Sequence, residues 1–374
     1  MTTPTPHYRP THAMINLEAI KENVRKLQEF VQPDVHIMAV VKANAYGHGD
    51  AEVTRAAIEA GATMLAVATP DEALHIRKLF PDIEILVLGY SPLSFTNVAA
   101  EQNISLTVYS ADWVKGLQIH SKNKLKLHIK VDTGMGRIGV TSIEELEHLY
   151  QEINYTNNVL VDGLFTHFAT ADEEDETYFN NQVKKFETFL QSLPKKPRCV
   201  HAANSATILM KDKKLQFNAV RFGISMYGLA PSPFVKERLP FTVKSAFSLE
   251  TELVAVKRIQ KGESVGYGAT FTAKEPMYVG TIPIGYADGL IRKLSGQDVL
   301  IKGKRVPIIG RICMDQCMIA LPCAYNIGEK VTLIGKQFEQ EITIDEWATR
   351  LETINYEIPC IITDRVPRIY YEKQ

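Results

Sequence analysis

The chain predicts an α/β protein in two parts, a (β/α)8 TIM-type barrel followed by a mainly β C-terminal domain, and three observations carry that prediction. From about residue 17 to 225, apolar strand-like runs alternate with amphipathic helical ones, the pattern of a parallel sheet. Eight such runs fall near 35–42, 64–69, 83–89, 104–109, 125–132, 160–167, 198–204 and 219–225. Eight is the number that closes a barrel of about 250 residues. Past about residue 245 the helical periodicity gives way to short strands separated by glycines, near 253–259, 277–282, 299–301, 305–309, 318–321 and 331–334. The predicted division is a barrel over 12–243 and a β domain over 244–374, with residues 1–11 packed on the latter.

The elements follow in order. Asn16 is placed to cap a first helix, in which Leu17, Ile20, Val24, Leu27 and Val31 recur at helical spacing before Pro33 ends it. Each later barrel strand is reached through a helix-sized segment. In the second domain only 344–351 and the segment after it read as helical, with Asp345 and Glu346 where the helix dipole favours acids.

Composition narrows the function classes. The chain has 374 residues, is 45% hydrophobic and carries a net charge of −1, so nothing global attracts nucleic acid or an anionic membrane. No run approaches the roughly 20 apolar residues of a membrane span, and no signal peptide is apparent, which points to a cytoplasmic protein acting on small molecules. The five cysteines, Cys199, Cys313, Cys317, Cys323 and Cys360, contain no C-x-x-C pair; they are expected to be reduced and mostly buried.

The most informative segment is 40–49, VVKANAYGHG, where a lone lysine closes an apolar strand and a polar, glycine-containing loop follows. An ammonium there borders low dielectric, which disfavours its charge, and a neutral amine is a nucleophile that can form a Schiff base with an aldehyde. Barrel active sites lie at the C-terminal strand ends. Besides Lys42, with Tyr46 beyond it, those ends hold Lys130, Asp132 and Arg137 after strand five and His167 after strand six. His201 and Ser205 follow strand seven, and Arg221, Gly223 and Ile224 follow strand eight. Phosphates in such barrels bind after strands seven and eight, where a hydroxyl and close backbone N–H groups are available. A lysine and an anion site on one rim suggest pyridoxal phosphate. Zinc at His48, His167 and His201 is disfavoured because they occupy separate loops without ligand spacing.

Segments 40–49 (VVKANAYGHG), 130–139 (KVDTGMGRIG), 201–205 (HAANS), 221–229 (RFGISMYGL), 266–268 (GYG), 284–289 (IGYADG) and 311–315 (RICMD) together resemble the alanine racemases of the pyridoxal-phosphate type. The resemblance runs from about residue 11 to the C-terminus. It implies an isomerase that interconverts L- and D-alanine by a two-base mechanism and supplies D-alanine for peptidoglycan, working as a homodimer whose active sites take residues from both subunits. By the same resemblance Lys42 holds pyridoxal 5′-phosphate and serves one face of the α-carbon, while Tyr267 serves the other from the partner subunit. A phenol needs help to ionise near neutrality, which His167 and Arg221 are expected to give. Arg221 would also donate to the pyridine nitrogen and leave it unprotonated, weakening the electron sink and favouring racemisation over transamination. Tyr46, Ser205, Gly223, Ile224 and Tyr356 are the implied phosphate contacts. Arg137 and the Met314 N–H are the implied carboxylate contacts, although Arg137 has a structural alternative in pairing with Asp132. Lys130 matches a lysine that many relatives carry as a carbamate. Tyr286 and Asp315 shape the pocket, and Arg292, Arg311 and Ile354 line its approach. The alternatives are a serine or broad-spectrum racemase of the same fold, a barrel-type decarboxylase, whose C-terminal cysteine and glycine-rich motifs are not found here, and a cofactor carrier, which the second domain with Tyr267 argues against.

Overall fold

In the computed structural model, which describes residues 7–372, the eight apolar runs form one parallel sheet in sequential order. Its strands are His36–Val40, Met64–Val67, Glu84–Val87, Ile104–Val108, Leu125–Lys130, Val159–Phe165, Cys199–His201 and Ala219–Phe222. The last pairs in parallel with the first, and the seventh and eighth are joined by the Asn218 N–H to the Val200 carbonyl (3.0 Å) and the Arg221 N–H to the Ala203 carbonyl (3.0 Å), so the sheet closes. Near-continuous apolar strands are what a sheet covered on both faces requires: Met64–Val67 and Ile104–Val108 are buried at every position. The first helix spans Leu17–Phe30 and buries Ala19, Ile20, Val24 and Leu27, the expected stripe.

The chain divides into two compact units. The barrel unit is Glu18–Ala45 with Asp50–Ser245. The other comprises the described residues up to Leu17, the short stretch Tyr46–Gly49, and the described residues from Ala246 onward. Two segments that the 12–243 division gave to the barrel therefore belong elsewhere. The strand His12–Asn16 lies between Phe247–Glu252, antiparallel, and Arg368–Tyr371, parallel. It buries Ala13 and Ile15 and leaves alternate positions partly open, which suits a sheet with one covered face. Residues 46–49 pack on C-terminal residues: a Cβ on Gly47 would fall 2.1 Å from the Pro359 oxygen, so only glycine permits that approach. Of the N-terminal stretch expected on the second domain, residues 1–6 lie outside the described residues. Arg9 clasps Asp288 through both terminal nitrogens (2.8 and 3.0 Å), and the Thr11 hydroxyl contacts Thr251 and the Pro283 carbonyl.

The second unit is built on a ten-stranded, mostly antiparallel sheet. A separate two-stranded hairpin, Ser264–Val265 with Phe271–Thr272, is fixed by Val265, which packs with Ile259, Ala273, Val279 and Ile309. The helix Ile344–Leu351 is capped by Thr343, as its acidic first turn suggested. Among the described residues no helix is long and apolar enough to cross a membrane.

Candidate active site

Each unit carries a set of polar residues, and each set is built differently. On the barrel rim, Lys42 follows the fully packed strand end Ile37–Val40. The chain then does something the sequence did not announce: Ala43, Asn44, Ala45 and Tyr46 are all left-handed, with φ of 53°, 52°, 51° and 52°. Such backbone costs non-glycine residues roughly 1–2 kcal/mol each. Three hydrogen bonds offset this, from the Ala45 N–H to the Val41 carbonyl (2.9 Å), from the Asp50 N–H to Asn44 Oδ1 (2.9 Å) and from the Ala43 N–H to Glu72 Oε1 (2.7 Å).

Arg221, 4% exposed, is the most constrained side chain on the rim. Its Nη1 donates to His201 Nδ1 (2.8 Å) and the His201 carbonyl (3.0 Å); Nη2 donates to the carbonyls of Thr166 (2.8 Å) and Ala202 (2.9 Å) and reaches His167 Nδ1 at 3.4 Å. Among the described residues nothing accepts the remaining Nε–H. Burial pulls the guanidinium down to about 10, leaving it charged at neutral pH. The bonds continue inward, where His201 Nε2 and His128 Nδ1 are 3.0 Å apart and His128 Nε2 faces Asp162 at 3.6 Å. With Arg221 donating, His201 must carry its proton on Nε2 and give it to His128. Burial and Arg221 hold His201 well below the ordinary histidine range, so it stays neutral; burial and Arg221, followed by Lys130, Arg137 and Lys42, do the same to His167. The donors of His128, Cys199 and His201 lie within 4.8 Å of one another, but the two imidazoles are already committed to each other and to Arg221.

Lys130 is buried with its ammonium 4.8 Å over the Phe165 ring. Burial, together with Arg221 and Arg137, brings it down to about 7, which makes the neutral amine accessible at physiological pH. Asp132 does not pair with the Arg137 side chain; it collects the backbone N–H groups of Gly134 (2.8 Å), Gly136 (3.1 Å) and Arg137 (3.0 Å), and those bonds lower it despite burial. The exposed Arg137 guanidinium has no hydrogen-bonding or ion-pair partner among the described residues. Asn204, not Ser205, caps the helix Ser205–Met210. Ser205 Oγ instead accepts the Gly223 N–H at 3.1 Å, tying the loops after strands seven and eight together. Ile224 opens a short helical turn, so its N–H has no helical acceptor.

In the second unit Tyr267 sits at the tip of the hairpin between Gly266 (φ 75°) and Gly268 (φ 73°) and is 71% exposed. Arg311 packs against this turn: a Cβ on Gly268 would meet its guanidinium at 3.2 Å. Tyr286 and Met314 are brought together by the Tyr286 N–H to the Cys313 carbonyl (3.0 Å) and the Ala287 N–H to the Met314 carbonyl (3.0 Å). A Cβ on Gly285 would stand 2.3 Å from the Met314 oxygen, so glycine is required for that clasp. Asp315 pairs with Arg365 (2.7 Å). Tyr46 is buried, with its ring 6.2 Å from that of Tyr356, and desolvation pushes its phenol up and keeps it a neutral donor. Arg292 and Ile354 are exposed. Two of the five cysteines, Cys199 and Cys317, are buried; Cys323 and Cys360 are exposed and Cys313 is intermediate, so burial of most was not the outcome.

Two family descriptions match the chain, "Alanine racemase, N-terminal domain" over residues 15–231 and "Alanine racemase, C-terminal domain" over residues 246–370. The chain belongs to the alanine racemase family. It is 51% identical over 368 residues to alanine racemase 1 of Bacillus subtilis (strain 168), covering 98% of this chain and 94% of that protein. It is likewise 51% identical over 366 residues to the alanine racemase of Geobacillus stearothermophilus, covering 97% and 94%. Among solved structures it resembles alanine racemase of Bacillus anthracis with bound L-Ala-P, at a TM-score of 0.95 and 45% identity, covering 98% of this chain and 96% of that one. It also resembles a histidine racemase from Leuconostoc mesenteroides subsp. sake, at 0.90 and 32%, covering 99% and 100%. The family relation explains why the rim is so fully built. It does not identify His201, His128, Asp162, Thr166 and Glu72 as the supports of that rim. The sequence offered one usable signal for these: alternation along Leu125–Lys130 turns His128 and Lys130 to the same face.

Proposed function

We propose that the chain is a pyridoxal-phosphate-dependent enzyme that interconverts L- and D-alanine. It works as a cytoplasmic homodimer and supplies D-alanine for peptidoglycan. The observation that carries this reading is Arg221, whose terminal nitrogens are spent on protein acceptors while its Nε–H is left over. A guanidinium fixed in this way suits a ring nitrogen that must accept a hydrogen bond and remain unprotonated. The rest of the donor set fits the same cofactor: an amine at a strand end, and Ser205, Gly223, Ile224, Tyr46 and Tyr356 for the phosphate. Since the Gly223 N–H is engaged by Ser205 Oγ, the Ser205 O–H and the Ile224 N–H are the donors most available there.

Bound there, pyridoxal phosphate supplies the electron sink that makes the substrate Cα–H acidic, and the Arg221 bond keeps that sink weak. Lys42 holds the cofactor and moves the proton at one face of Cα. Tyr267 of the partner subunit moves it at the other. His167 faces Arg221 Nη2 with Nδ1 at 3.4 Å, and its tautomer protonated at Nε2 is the donor suited to a phenolate oxygen. Arg137 and the Met314 N–H bind the substrate carboxylate. The neutral fraction of Lys130 adds carbon dioxide at Nζ and loses a proton, and the resulting carbamate anion orients Arg137. Tyr286 and Asp315 restrict side-chain size; Arg292, Arg311 and Ile354 line the approach.

The test is to incubate holoenzyme with L-alanine in deuterated water and follow optical rotation together with the α-proton signal. Joint decay is expected. Exchange with retained rotation would sink the two-face assignment, and no change would reject alanine and pass the question to serine and histidine under the same assay.

A further inference from the structure

We propose that Glu72 is a positioning residue for Lys42, which rests on the reading that Lys42 holds the cofactor. Glu72 is the third residue of the helix Pro70–Leu79, which leaves the second barrel strand. Its Oε2 accepts the N–H groups of Ala68 (2.7 Å) and Thr69 (3.2 Å), while Thr69 Oγ1 accepts the Glu72 N–H (3.3 Å), so the two residues make a capping box. That local task needs one carboxylate oxygen. The other, Oε1, accepts the Ala43 N–H at 2.7 Å from 29 residues earlier in the chain. One side chain thus joins the C-terminal ends of the first two barrel strands.

The identity of that N–H gives the bond its consequence. A peptide group is planar, so the Ala43 N–H lies in one rigid plane with the Lys42 carbonyl and Cα. Holding it fixes the last backbone torsion of Lys42 and hence the direction in which its side chain departs. Ala43 is also the first of the four left-handed residues, a conformation that reverts to ordinary backbone unless something over-determines it. Rotation about the last backbone torsion of Lys42 swings that N–H off the carboxylate, so the bond anchors the peptide plane from which the left-handed run departs. A charge-assisted bond at the head of the run, with Ala45 to Val41 inside it and Asp50 to Asn44 at its end, holds the strained turn that presents Lys42.

A helix cap and a lysine clamp predict different phenotypes, so paired variants separate them. Thr69→Ala removes the same helix's hydroxyl cap and leaves the bond to Ala43. Glu72→Gln keeps one acceptor for the cap and loses the charge, and Glu72→Asp keeps the charge on a side chain one methylene too short to span both strands. Each holoenzyme would be measured for thermal midpoint, for cofactor dissociation by the absorbance of the lysine-bound form, for the fraction trapped on Lys42 by borohydride, and for kcat and KM separately. We expect all three to lose similar thermal stability. Only the Glu72 variants should weaken cofactor binding, by about ten-fold, and lower kcat more than they raise KM. Glu72 variants that match Thr69→Ala in cofactor affinity and kcat within two-fold would overturn the proposal. A parent protein that neither traps cofactor on Lys42 nor racemises alanine would instead refute the functional reading beneath it.

Discussion

The barrel rim and the C-terminal turns hold their candidate site residues under opposite physical conditions. Arg221, Lys130 and His201 are almost wholly buried, and Arg221 has five protein acceptors around it. Tyr267, Met314 and Ile354 are exposed, held in place through glycine turns and backbone bonds that leave their side chains uncommitted. A closed parallel sheet can orient its strand ends with its own core, because every strand is fixed by two neighbours. A hairpin tip has no such frame, and Tyr267 stands in solvent there. Under the proposed function, the difference assigns the cofactor platform to one chain and leaves the second base to be placed by assembly.

Several substitutions would break or sharpen that contrast. Lys42→Ala on the platform should lower kcat by about 10⁴-fold and abolish borohydride trapping of the cofactor, read by mass spectrometry. Tyr267→Phe on the exposed hairpin should cost about 10²–10⁴-fold in racemisation while leaving the fold unchanged. It should also leave α-proton exchange faster from one enantiomer than from the other; equal exchange would deny Tyr267 a face of its own. Arg221→Lys should behave as a buried defect, losing about 2–4 kcal/mol in a urea titration because one ammonium cannot satisfy the carbonyls of Thr166, Ala202 and His201 together. The corresponding change at exposed Arg292 should stay within about 0.5 kcal/mol.

A pH dependence is expected at Lys130. Its folded value of about 7 lies below the ordinary 10.5, so between these values the unfolded chain binds a proton that the folded chain does not. Stability must then rise with pH through this window. In carbon-dioxide-free buffer the parent should gain on the order of 2 kcal/mol over Lys130→Met between pH 7 and pH 9. A difference that stays flat would mean that Lys130 is solvated or carries another charge.

Much of the barrel could be read from the sequence because its signals are local and repeated: eight apolar runs each needed only their own composition, and strand closure followed from the count. The N-terminal strand could not be assigned that way. His12–Asn16 alternates like any edge segment, and only pairing with residues more than 230 positions away decides its sheet. The rim residues were legible individually, but their supports were not. Nothing in KANAY announces four left-handed residues without glycine, and Glu72 reads as an ordinary capping acid until its second oxygen is seen on Ala43. Likewise nothing in HAANS tells which polar residue caps the helix that follows; Asn204 does, because its Oδ1 accepts the Thr207 N–H at 3.0 Å, which leaves Ser205 Oγ for the Gly223 N–H.

The most direct test of a platform in one chain and a base in the other is to mix two inactive homodimers, Lys42→Ala and Tyr267→Phe, and let subunits exchange. If sites are shared, each heterodimer contains one site with both residues intact, and random mixing should restore about a quarter of the parent activity. If exchange is shown by native mass spectrometry and activity stays at the level of the separate variants, Lys42 and Tyr267 serve the same site within one chain, and the account of a shared site is wrong.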